Sequence, residues 1–131
     1  MWATTIIQRN TSGKPSLFGT MLGKPIIFSG GSASLEATDR KQLRLIAQKA
    51  KASDERLFVT GFARKGGGNA SELGSLSTER AKVAAEYLAK QGVRVWIRYW
   101  GAGSLNGTGK TSDRRVEIRT SAKPIPRTLV P

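Results

Sequence analysis

The sequence has no cysteine and no histidine in its 131 residues. That excludes zinc sites of the Cys/His type, thiol nucleophiles and every histidine-based triad. Acidic residues are scarce as well, nine against 22 Lys and Arg, which leaves a formal charge of +13. No two carboxylates sit in a setting suited to hydrolysis, so the expectation is a binding module: no catalytic residue, no metal site and no cofactor. No apolar run approaches the ~20 residues of a membrane span. The opening residues, MWATTIIQRN, lack the basic start and long apolar stretch of a signal peptide. The chain is therefore either cytoplasmic or one domain of a longer exported protein. The missing cysteines fit any compartment and decide nothing here.

The length suffices for one domain with a proper core. Its positive charge runs from Arg9 to Arg127 and forms no single block, which favours a folded basic surface over a disordered basic arm. Suitable partners are polyanions: nucleic acid, anionic wall polymers, lipopolysaccharide or membrane headgroups.

Taken in order, residues 3–9 have some strand character. Asn10 to Lys24 reads as an ordered connection in which Leu17, Phe18, Met21 and Leu22 serve as anchors. Pro25 to Phe28 reads as a buried strand ending in Ser29-Gly30-Gly31. A helix is predicted from near Thr38, with Leu43, Ile46, Ala47 and Ala50 buried and Asp39 in its first turn, and with Ser53-Asp54-Glu55 as the turn that follows. Arg56–Ala63 and Val93–Trp100 read as further core strands. Arg115–Arg119, alternating in polarity, closes the set. The tail from Ala122 to Pro131 is Pro-rich and outside the core. The predicted fold is α/β (α+β): a two-layer sandwich in βαβαββ order, with a mixed sheet and both helices on one face.

The organising stretch is Gly61 to Leu88, GFARKGGGNASELGSLSTERAKVAAEYL. Ser77 suits an N-cap, and Ala81, Ala84, Ala85 and Leu88 follow at helical spacing, with Gly92 as the stop. Arg80 would then stand in the first turn. A cation is unfavourable beside the helix N-terminus unless an anion docks there, so Ser77 and Arg80 form a candidate carboxylate or phosphate site. The competing reading is a surface arginine paired with Glu79, Glu72 or Asp113.

Three other features carry less. Ser104 to Thr111 imitates a phosphate loop but has Ser104 where the first glycine belongs, and it leads to a strand instead of a helix. Gly66–Gly68 lacks dinucleotide spacing and reads as a mobile loop. Trp96 and Trp100, interleaved with Arg94 and Arg98, offer a face on which bases could stack if it is exposed.

Several of these segments resemble the OmpA-like, peptidoglycan-associated domain family. Ile26-Ile27-Phe28 followed by Gly31-Ser32-Ala33-Ser34-Leu35 is similar to its opening strand and turn. Leu76-Ser77-Thr78-Glu79-Arg80-Ala81 matches its L-S-x-x-R-A motif. Tyr87-Leu88, Gly92-Val93, Gly101–Ser104 and Asp113–Ile118 follow in order.

The resemblance covers about residues 24–121, flanked by an N-terminal segment 1–23 and the tail 122–131. It implies anchoring to peptidoglycan by gripping diaminopimelate of the stem peptide, with Arg80 on a ligand carboxylate. Ser77, Arg64, Glu72 and Arg115 complete the expected ligand-binding set. It also implies a cell-envelope location, periplasmic or extracytoplasmic, within a longer exported chain.

The sequence departs from the family at Arg64, where an aspartate normally meets the ligand's ammonium, and at Leu73, where an asparagine is usual. Glu72 is a candidate replacement carboxylate. Two like charges ~4 Å apart repel by about 1 to 4 kcal/mol. Three readings follow: peptidoglycan binding with an altered stem peptide, a pocket turned to another anionic polymer or a protein partner, or basic nucleic-acid binding.

Overall fold

The computed structural model describes residues 7–9, 20–52, 56–93 and 97–120. The expectations for Leu17, Phe18, the 53–55 turn, Arg94, Trp96 and the C-terminal tail lie outside these residues.

The elements follow as β1 (Ile7–Arg9), β2 (Thr20–Met21), β3 (Ile26–Ile27), α1 (Ala37–Lys51), β4 (Leu57–Gly61), α2 (Ala70–Lys90), β5 (Ile97–Gly101) and β6 (Arg115–Thr120), with a 3₁₀ turn at Thr111–Asp113 before β6. From β3 onward this is the predicted βαβαββ order. The sheet runs β1-β5-β4-β6-β2, and β3 also pairs with β6. β5 is parallel to both β1 and β4, whereas β6 is antiparallel to β4, β2 and β3. Parallel neighbours need a long crossover, and α2 supplies it between β4 and β5.

Helical periodicity explains the two helices. In α1 the buried residues are Leu43, Ile46, Ala47 and Ala50, the set that the spacing predicts. The Glu36 N–H donates to Asp39 Oδ2 at 2.9 Å and fixes the first turn. In α2, Ala81, Ala84, Ala85 and Leu88 are buried. They meet Leu57, Val59, Ile97, Val116 and Ile118 from one face of the sheet. Each large aliphatic side chain buried here contributes about 1.5–3 kcal/mol. Gly92, at φ 87°, ends α2 as predicted, with Val93 N–H returning to the Leu88 carbonyl at 3.3 Å.

Two glycines set how closely α2 approaches the sheet. Gly61 and Gly101 are partners in the β4–β5 register. A Cβ on Gly61 would collide with the Ser77 carbonyl, and one on Gly101 with Ser77 Oγ and the Thr78 backbone. Only glycine in both strands lets the helix backbone sit down at this point.

The opposite face of the sheet is also covered in part. Trp100 is 5% exposed and meets Phe58 edge-on at 5.9 Å. The condition for base stacking at Trp100, an exposed face, is therefore not met. Strand alternation does put it opposite the helices, but that face is not bare.

Candidate anion-binding site

α2 begins at Ala70, not at Ser77 as the sequence reading has it. Its cap is Asn69, whose Oδ1 accepts from the Glu72 N–H at 2.9 Å, while the Asn69 N–H donates to Glu72 Oε1 at 3.0 Å. This reciprocal box satisfies two of the free donors at the helix start. The pattern Asn69-x-x-Glu72 is the sequence signal for this start, and the reading from Ser77 passed over it. The correction has two consequences: Ser77 and Arg80 do not stand at the helix N-terminus, and Glu72 takes part in the cap.

Ser77 is fully buried inside α2. Its hydroxyl donates to the Gly74 carbonyl and accepts from the Gly103 N–H, both at 2.9 Å. It is a small, hydrogen-bonded spacer over Gly61 and Gly101, tying the 102–104 turn to the helix.

Arg80 lies well inside α2 and is also fully buried. Nε donates to the Ser32 carbonyl at 2.8 Å, Nη1 to Phe62 at 3.0 Å and Nη2 to Ser29 at 3.1 Å. The Phe28 ring lies 5.4 Å from its Cζ. A buried cation is tolerated only where hydrogen bonds replace its lost water, and these carbonyls do so. They carry partial charge only, so the positive charge stays unneutralised. Burial, and then the neighbouring charge of Arg114, pull its pKa down to about 10, so it remains cationic at neutral pH.

Arg64 and Arg114 share a cavity of about 180 Å³ with Arg80, Gly30, Leu73 and Leu76. Arg64 is exposed, Arg114 half-buried and Arg80 buried, so the three step from solvent to interior. Each of the outer two is held by one backbone bond: Arg64 Nε to the Gly109 carbonyl at 2.7 Å, Arg114 Nε to Phe28 at 2.9 Å. None of the three has a carboxylate partner among the described residues. The ion pairs found there join Glu117 to Arg115 and Arg119.

Asp113 organises the outer wall. It accepts from the N–H groups of Lys65, Thr108 and Gly109 and from the Thr108 hydroxyl. These bonds, led by the Thr108 amide, hold its carboxyl far below the ordinary range. The segment that imitates a phosphate loop is therefore a wrap around Asp113, and it presents the Gly109 carbonyl to Arg64.

The structure brings Arg64 and Arg80 together and leaves Arg115 out. The Arg115 guanidinium lies 3.9 Å over the Phe62 ring and pairs with Glu117 at 2.9 Å on the far side of the sheet. Sequence reasoning missed Arg114. The signal was available: Arg114 shares the alternation of Val116 and Ile118, which face the core, and Arg115 does not.

The OmpA family sequence profile matches residues 27–119. The chain belongs to the OmpA family. It is 35% identical over 112 residues to the peptidoglycan-binding protein ArfA of Mycobacterium tuberculosis, a match covering 79% of this chain and 34% of that protein. The chain thus spans about a third of the length of the relatives it matches.

Two solved structures share the fold. The C-terminal domain of Helicobacter pylori MotB superposes with a TM-score of 0.66 at 19% identity, covering 76% of this chain and 85% of that one. The peptidoglycan-associated lipoprotein of Burkholderia pseudomallei gives 0.65 at 18%, covering 74% and 89%.

Proposed function

We propose that this OmpA-family domain is a non-catalytic module that docks onto peptidoglycan by receiving a stem-peptide carboxylate in the cavity of Arg64, Arg80 and Arg114. The observation that carries this reading is the convergence of three guanidinium groups on one concavity, with no carboxylate among the described residues to neutralise them. In a recess walled by low-dielectric protein such charges act more strongly than on an open surface, and arginine offers the planar donor pair that a carboxylate matches. Family membership and the peptidoglycan-binding name of the ArfA relative support the choice of ligand.

The domain would act in the cell envelope, where that polymer lies, as one part of a longer chain. Among the described residues no helix is long and apolar enough to cross a membrane. Sedimentation of the domain with isolated peptidoglycan tests the proposal, and failure to pellet at any salt concentration would end it. The burial of Trp100 against Phe58 takes that ring out of the base-stacking face and weighs against the nucleic-acid reading.

A further inference from the structure

The charged side chains that line the cavity are all arginines, and several carbonyls around it already accept from them. The carbonyls of Ser29, Ser32 and Phe62 receive Arg80, that of Phe28 receives Arg114, and that of Gly109 receives Arg64. The nearby acidic side chains each accept from backbone N–H groups, Glu72 from Asn69 and Asp113 from the amides around it. A ligand ammonium entering here would meet guanidinium groups and find no carboxylate to pair with. A carboxylate would meet the remaining N–H groups of Arg64 and Arg114, with the buried charge of Arg80 beneath them. At about 180 Å³ the cavity is smaller than the ~300–1,000 Å³ of a site that encloses a whole small ligand. It suits the end of a chain.

We infer that the cavity selects a carboxylate-ended group whose neighbouring amine is uncharged. For a stem peptide this means a diaminopimelate whose side-chain amine is consumed in an amide, as in a cross-link, in preference to one whose amine is free. The inference rests on the peptidoglycan reading of the same cavity and adds the charge state of the group bound. Arg64 carries the selectivity: it is the exposed member of the three and stands where an incoming end group meets the protein.

The test is a titration of the isotope-labelled domain, followed by amide and arginine Nε–H chemical shifts. The probes are two stem peptides that differ only in the distal amine of diaminopimelate, free in one and acetylated in the other. The acetylated peptide is expected to bind at least tenfold more tightly and to move the signals of Arg64, Arg114 and Gly30. In Arg64→Asp the order should reverse, and in Arg64→Gln, a milder change, the gap should narrow. Equal or tighter binding of the free amine by the native domain overturns the inference. So does an order that Arg64→Asp leaves unchanged, or the absence of shifts with either peptide.

Sedimentation with whole peptidoglycan, run alongside, separates the two ideas. Pelleting without peptide preference overturns the selectivity and leaves docking intact. Preference without pelleting upholds the selectivity and overturns docking to the intact wall.

Discussion

Arg80 Nη1 donates to the Phe62 carbonyl at 3.0 Å, so the residue that charges the cavity floor also ties α2 to the chain leaving β4. The bonds to Ser29 and Ser32 add the β3–α1 loop to the same knot. Arg80→Ala is therefore expected to cost about 2–4 kcal/mol, since it strands a buried carbonyl and empties a large buried site. Arg80→Lys should fall between the two, because one ammonium cannot span all of these acceptors. Chemical denaturation measures both. A native-like midpoint for Arg80→Ala would show that the knot does not hold the fold.

The helix–sheet approach gives a sharper contrast between glycines. Gly61→Ala and Gly101→Ala each place a Cβ against the Ser77–Thr78 backbone of α2. Each is expected to destabilise by about 2 kcal/mol or more through overpacking. Gly74 lies inside the same helix with open space where its Cβ would stand. Gly74→Ala should stabilise by about 0.5–1 kcal/mol. Thermal melts of the three variants decide the matter, and similar melting temperatures would contradict it.

Asp113 makes stability depend on acid. Its folded pKa lies well below the ordinary 3.8, because backbone amides favour the charged form. A depressed carboxylate contributes stability that is complete above its unfolded value and is lost as pH falls toward the folded one. The melting-temperature gap between the native protein and Asp113→Asn should be constant from neutral pH to about pH 5 and shrink below about pH 4. A gap as wide at pH 3 as at pH 7 would show that the charge of Asp113 is not what holds the wrap.

Much of this architecture was legible because it rests on periodicity. Leu43, Ile46, Ala47 and Ala50 repeat at helical spacing, and Val116 and Ile118 alternate as a half-buried strand must. The site was read less well, for two physical reasons. Ser77 and Asn69 are both good N-cap residues, and the apolar spacing that follows Ser77 drew the helix start to it, so Ser77 took the role of Asn69. Burial of a charged residue is also invisible to pattern. Arg80 was recognised as a site residue, but two of its three carbonyl bonds, to Ser29 and Ser32, depend on the 29–32 loop folding over α2, a contact between distant segments. The pairing of Arg64 with Arg114 depends in turn on the wrap around Asp113.

Because Arg80 is structural, the binding variant should be Arg64→Ala/Arg114→Ala, which leaves the knot intact and the domain still strongly basic. The decisive measurement is its co-sedimentation with isolated peptidoglycan beside the native domain, at low salt and at about 0.5 M, where attraction between exposed charges is largely screened. Docking through the cavity predicts that the native domain still pellets at high salt and the double variant does not. Equal loss of both proteins in salt, or equal retention of both, would mean that the cavity does not hold the wall.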